Sequence, residues 1–196
     1  MSIKKVENSP TILTETERLI LRAMTPEDAD SVFEYRNQPD VKLFQGWTPE
    51  NAKEVADYAN EMAGREVAAP GHWFQVILES KPEGEQKGKV IGDMAFCIEP
   101  EMKKQAELGI ALDSRQQGKG FALEATKALV SYLFETFELH RIHVSIDPEN
   151  GPSRKLCHRI GFREEAHLKQ AVFFKGEWVD DIIMAMLHSE WQALTK

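Results

Sequence analysis

Apolar and polar positions change period several times along the chain. Arg18 to Met24, RLILRAM, alternates as a half-buried strand does. Thr25-Pro26-Glu27-Asp28 then marks a helix start, with a capping hydroxyl, Pro at the first helical position and acids in the first turn. The spacing predicts a helix to about Asn37, stopped by Pro39. Thr48-Pro49-Glu50 repeats the start and predicts a second helix to about Gly64. His72 to Leu78 reads as a strand, Lys81 to Lys89 as a polar turn, and Val90 to Ile98 as the returning arm of a hairpin. Further on, Ile142, Val144 and Ile146 alternate with polar residues in a strand from His140. A short helix is predicted to end at Gly161. Phe162 to Phe174 and Trp178 to Leu187 form a last hairpin around Lys175-Gly176-Glu177. Residues 1–15 read as a loose lead-in to a single domain over residues 16–192.

The pattern is most specific between Lys104 and Ala125. An apolar run from Ala106 to Leu112 carries one carboxylate, Glu107. A polar loop follows from Asp113 to Gly120. From there Ala122, Ala125, Leu129 and Leu133 recur at helical spacing. A loop opening a helix presents unpaired backbone N–H groups at the positive end of the helix dipole. Gly118 and Gly120 let an anion approach that backbone, and Lys119 adds a positive charge. This describes a phosphate or pyrophosphate cradle; a tight strand-to-helix connection is the plainer alternative. A P-loop is excluded because it needs a Lys-Ser or Lys-Thr pair after its last glycine, and Gly120 is followed by Phe121. The dinucleotide fingerprint is excluded because Leu123 takes its third glycine position.

Composition narrows the class. With 196 residues, 42% of them apolar and 29% charged, the chain is long enough for a real core and too apolar for bulk disorder. No run is long and apolar enough to cross a bilayer, and the N-terminus lacks a secretory pattern, so no membrane role and a cytoplasmic location are expected. Two cysteines far apart, Cys97 and Cys157, fit a reducing compartment rather than a disulfide framework. His140 and His143 fall on opposite sides of a strand, and no metal site is expected. A net charge of −8 argues against nucleic acid. It suits a cationic substrate, although solubility alone accounts for it.

Gln117-Gly118-Lys119-Gly120-Phe121-Ala122 resembles the Gln/Arg-x-x-Gly-x-Gly/Ala signature of the GNAT superfamily of N-acetyltransferases. Asn150 to Phe162, NGPSRKLCHRIGF, resembles that family's Asn-x-x-Ser-x-x-Leu…Gly-Phe pattern, and follows the loop after one helix and one strand. Ala106-Glu107-Leu108-Gly109, Ala122-Leu123-Glu124-Ala125 and the final Trp178-Val179-Asp180 resemble the branch that acetylates ribosomal-protein N-termini. The two main motifs span about a quarter of the chain.

The resemblance implies an α/β GNAT fold: a central mixed sheet with helices on both faces. It implies an acyltransferase that uses acetyl-CoA as cosubstrate and no metal. Gln117, Gly118, Lys119, Gly120, Phe121 and Ala122 would hold the pyrophosphate. Ile110, Ala111 and Leu112 would offer backbone to the pantetheine arm where their strand splays from its neighbour, and Asn150 would bond that arm. Glu107 would take the amine proton. The tyrosine that many relatives use to protonate the leaving thiolate is replaced here by Cys157. That leaves Ser153 as the first choice of general acid and Cys157 as the second; a buried core thiol is the other reading of Cys157. The expected partner is an amine acceptor, first a protein N-terminal α-amine, then a polyamine or amino-sugar. A non-catalytic CoA sensor is the alternative outside enzymes. Dimers are common in the family, so a homodimer is one expected form. Phe44, Trp47 and Asp180 stand between acceptor contact and structural roles.

Overall fold

The computed structural model describes residues 10–82, 84, 88–101 and 104–195. Its frame is one eight-stranded sheet. The strands are β1 (Ile12–Glu15), β2 (Leu19–Ala23), β3 (Phe74–Ser80), β4 (Val90–Ile98), β5 (Gln105–Leu112), β6 (Arg141–Ile146), β7 (Arg163–Phe174) and β8 (Glu177–Leu187). They lie in the order β1-β2-β3-β4-β5-β6-β8-β7. All neighbours are antiparallel except β5 and β6. The helices are α1 (Ala29–Arg36), α2 (Pro39–Lys42), α3 (Ala52–Ala63), α4 (Phe121–Phe137), α5 (Gly151–Ile160) and α6 (His188–Leu194). Among the described residues no helix is long and apolar enough to cross a membrane.

The α/β architecture matches the sequence reading, with differences at its edges. Ile12–Glu15 is a strand paired with β2, not lead-in; four half-exposed residues give too short an alternation to show in sequence. Residues 1–9 of that expected lead-in lie outside the described residues. The predicted 81–89 turn is described only in part. α1 stops before Pro39 as expected, capped at Asn37, but Pro39 then opens the short α2, where its missing N–H costs nothing at a first helical position. The closing helix α6, stacked through His188 on Phe134 with ring centroids 5.0 Å apart, had no expectation attached to it.

Two layers cover the sheet. Ala125, Leu129 and Leu133 of α4 are fully buried, and Phe137 reaches Phe96 of β4 at 6.3 Å between centroids. The opposite face of β4 carries Asp93, which is fully buried and accepts from four side-chain groups: Tyr35 Oη, Arg36 Nε and Nη2, and Gln75 Nε2. A buried carboxylate is tolerated only with such full pairing. The cluster fixes α1 to the sheet. Arg36 Nη1 extends the tie by donating to the Trp47 carbonyl at 2.8 Å, which holds the loop before α3 against the same face.

β5 and β6 pair over only three rungs, Gln105–Arg141, Ala106–Ile142 and Glu107–His143. β5 runs on to Leu112, paired with β4 throughout, while β6 turns away beside β8. A strand residue points its N–H and C=O to the same side. The groups of Ile110 and Leu112 that face away from β4 therefore line a cleft in the middle of the sheet.

Candidate active site

The loop at the head of the cleft is pinned at both ends. Asp113 closes β5, and its buried carboxylate accepts from Arg115 N and Nη2, at 2.9 and 2.7 Å, and from Gln38 Nε2 at 3.1 Å. Burial pushes this carboxyl up, but the bonds from Arg115 and Gln38 outweigh it and hold the group below its usual range. Gly118 and Gly120 then take φ of 75° and 84°, left-handed values that a side chain would strain. Gly120 stands directly before α4. Arg18 clamps this turn from β2's approach: Nη1 donates to the Lys119 carbonyl at 3.1 Å, and Nε donates to Glu124 Oε2 at 2.7 Å. Thr16 Oγ1 donates to the other oxygen of Glu124. Burial pushes Glu124 up, yet the Thr16 and Arg18 bonds bring it below its ordinary value.

A cavity of about 660 Å³ runs from this loop down the cleft. Of the residues expected around the cosubstrate, Ile110, Ala111, Leu112, Gln117, Gly118, Gly120, Phe121, Ala122 and Asn150 line it, and so does Ser153. Lys119 does not; its Nζ donates to Gln116 Oε1 at 2.9 Å. Asn150 caps α5 by accepting from Ser153 N at 3.2 Å. Cys157 lines neither cavity: it lies in the core at 6% exposure, where burial pushes its thiol up to about 11.

A second cavity, about 550 Å³, opens between α3, the loop before it and the β7–β8 hairpin. Its walls include Trp47, Tyr58, Trp73 and Phe174, and its floor is the sheet face carrying Glu107. Phe44 and Trp47, left open by the sequence, both line it. Trp47 packs on Tyr58 at 5.2 Å between centroids, with the Arg36 guanidinium 4.5 Å from its ring centre. Gly109 lies two residues beyond Glu107 on the same face, and a Cβ there would meet nothing within 4 Å.

Glu107 is half-buried, with its side chain 33% exposed. Burial pushes its carboxyl above the ordinary value, and the charges of Glu99 and Asp181 push it further. His143 Nε2 stands 4.0 Å from Glu107 Oε2 on the adjoining rung. Burial, helped by the Arg141 charge, lowers that imidazole, which makes it a neutral neighbour at pH 7. Asp180, the acid of the final motif, lies at the cavity wall but is spent on the hairpin. It accepts from Lys169 Nζ at 2.7 Å, from the Gln170 N–H at 3.0 Å and bonds His167 Nε2 at 2.8 Å, which together hold its carboxyl well below the usual range. The contact fixes a bulge of β7 in which Gln170 has a φ of 47°.

The two cavities share Phe44, Gln45 and Ile110. Residues 18–163 match the family described as Acetyltransferase (GNAT) domain. The chain belongs to the GNAT acetyltransferase family. An uncharacterised N-acetyltransferase of Bacillus licheniformis, p20, is 32% identical over 177 residues, covering 90% of this chain and 96% of that protein. The [ribosomal protein uS5]-alanine N-acetyltransferase of Escherichia coli is 33% identical over 84 residues, 43% of each chain. A crystal structure of a GNAT-family acetyltransferase from Bacillus anthracis matches with a TM-score of 0.75 at 28% identity, over 90% of this chain and 98% of that one. This GNAT protein is an acetyl-CoA-dependent N-acetyltransferase with a mixed α/β fold. Sequence reasoning missed Arg18, Gln45, Ser145 and Asp181, which lie outside the family motifs, and named Gly109 without a role; they come together only through the sheet.

Proposed function

We propose that this GNAT enzyme moves the acetyl group of acetyl-CoA onto the α-amine of a protein N-terminus. The observation that carries the reading is the junction of the two cavities at Phe44, Gln45 and Ile110. A donor in the cleft and an amine in the aromatic cavity meet there, with Glu107 on the amine's side.

The cleft has the chemistry that acetyl-CoA needs. Backbone N–H groups at the head of α4, freed by Gly118 and Gly120, suit a pyrophosphate. Among the described residues no strand pairs the edge of Ile110 and Leu112, whose carbonyls accept only from the Gln45 and Gln117 side chains. That edge suits an arm that bonds as an added strand, with Asn150 as a further partner. The Ile110 N–H, on the cleft side, would polarise the thioester carbonyl. Glu107 takes a proton from the amine, directly or through water. The amine nitrogen then attacks the acetyl carbon, the C–S bond breaks, and Ser153 protonates the departing thiolate. Ser153 is preferred to Cys157 because it lines the cleft and the thiol is buried in the core.

The α-amine is preferred on the likeness to the uS5-alanine enzyme, and because aromatic walls suit the first side chain and peptide planes of a chain terminus. A second reading, a small polyamine, draws on the carboxylates Glu107, Asp147, Asp180 and Asp181 around the same cavity. A panel of alanyl and seryl peptides, spermidine and glucosamine, each followed by thiol release and mass spectrometry, tests the choice. Peptide α-amines should be acetylated with the highest kcat/KM. A preference for spermidine overturns the first reading in favour of the second.

A further inference from the structure

Four carboxylates line the acceptor cavity, and their surroundings differ. Asp180 is paired with Lys169. Asp147 accepts from the Glu149 N–H within its own turn at 2.8 Å. Glu107 has the neutral imidazole of His143 at 4.0 Å. Asp181 is 94% buried, at 6% exposure, and among the described residues its carboxylate has one hydrogen bond, from Ser145 Oγ to Oδ1 at 2.8 Å. Among the described residues no cationic side chain lies within ion-pair distance of it. Among the described residues the one guanidinium lining the cavity, that of Arg36, is committed to Asp93 and the Trp47 carbonyl.

A buried carboxylate without a cation is costly unless a ligand supplies one. Asp181 also sits where that ligand would stand. It belongs to the same sheet face as Ser145 and Glu107, and Ser145 lies two residues beyond His143, the rung partner of Glu107. We propose that Asp181 is the counter-charge that captures the acceptor's ammonium group beside Glu107, held on station by Ser145. The amine arrives protonated, Asp181 binds it in that form, and Glu107 removes the proton that has to leave before attack. Asp181 is thus a specificity-determining residue: it selects acceptors that carry a positive charge at the reacting nitrogen. The inference rests on the amine-acceptor reading above.

The groups facing Glu107 are Glu99 from the β4–β5 connection, Cys97 from β4, His143 from β6 and Asp181 from β8. Of these, Glu99 and Asp181 carry the negative charge that favours a proton on Glu107. Removing the Asp181 charge therefore moves the acidic limb of kcat/KM to lower pH, an effect that lost packing alone would not produce.

The test is calorimetric titration of the protein–CoA complex with two probes: a tetrapeptide with a free N-terminal alanine, and the same peptide with propionyl in place of that alanine, so that it lacks the amine. Wild type should prefer the free amine by about 10- to 100-fold, the size of a charged hydrogen bond. Asp181→Asn retains an oxygen for Ser145 and should lose most of that preference while binding CoA as before. If Asp181→Asn does not fold, Ser145→Ala, which unties the carboxylate, should reduce the preference several-fold. An unchanged preference in folded Asp181→Asn, or in Ser145→Ala where the first variant fails, overturns the role of Asp181. No preference in wild type would instead overturn the amine-acceptor reading itself.

Discussion

Gln45 Nε2 donates to the Ile110 carbonyl oxygen at 3.1 Å, across the point where the two cavities meet. Its carboxamide occupies the position that an arm amide would take along β5. An arm that bonds there has to displace a hydrogen bond whose net worth is about 0.5–1.5 kcal/mol. Gln45→Ala should therefore tighten acetyl-CoA binding by roughly 2- to 10-fold in calorimetry. Weaker binding would mean that Gln45 holds the donor instead of yielding to it.

Gly109 offers a way to fill the acceptor cavity without disturbing the fold. Its Cβ position is open and its backbone is extended, paired with Ala95. Gly109→Leu should raise KM for the amine by tenfold or more, since about four carbons would enter a space built for substrate, while Tm holds or rises through better strand propensity. CoA affinity should stay the same. A drop in Tm by several degrees would show that the cavity is not open at this wall.

Glu107→Gln should lower turnover by about 10²–10⁴-fold at neutral pH, with the deficit shrinking as pH rises and solvent supplies neutral amine. In wild type, the raised carboxyl places the acidic limb of kcat/KM above that of an ordinary glutamate, and activity falls as pH drops through it. Stability moves the other way. A carboxyl whose folded value is raised contributes stability below its unfolded value and loses it as pH rises through the folded one. Glu107→Gln should thus leave Tm at pH 7 unchanged or higher. An equal activity loss at every pH together with a lower Tm would make Glu107 a structural residue.

Cys157 should behave as core. With its thiol at about 11, roughly one molecule in a thousand is thiolate at pH 8, and burial shields even that. Thiol-reactive dye should modify Cys97, which is half-exposed, well before Cys157, and saturating CoA should not change the Cys157 rate. Cys157→Ala should keep kcat within about threefold and cost about 1–2 kcal/mol in stability. Protection by CoA would return the thiol to the cleft.

How far the sequence reached depends on the range of the interaction. The cleft loop was legible because Gly118, Gly120 and the helix they open are neighbours in the chain. Burial of Ala125, Leu129 and Leu133 followed from their spacing. The acceptor cavity was not legible. Trp47, Trp73, Glu107 and Asp181 are brought together by strand order and by the Asp93 cluster that docks α1, and neither is a local pattern. Asp180 shows the cost of reading one motif alone: its family position drew attention, while the next residue lines the cavity with no cation beside it among the described residues. Arg18 gave no signal either, because its partners Lys119 and Glu124 lie about a hundred residues away.

The three-rung contact between β5 and β6 has a mechanical consequence. Sheets normally keep exposed edges at their outer strands, where another chain can add to them and where proteins guard against that addition. This fold keeps an edge at its centre, where the side chains of Gln45 and Gln117 hold the carbonyls of Ile110 and Leu112. A slender ligand can enter where a strand of another protein cannot. On the proposed reading, the sheet would gain a strand each time it is loaded and give it up at release, while its outer edges take no part.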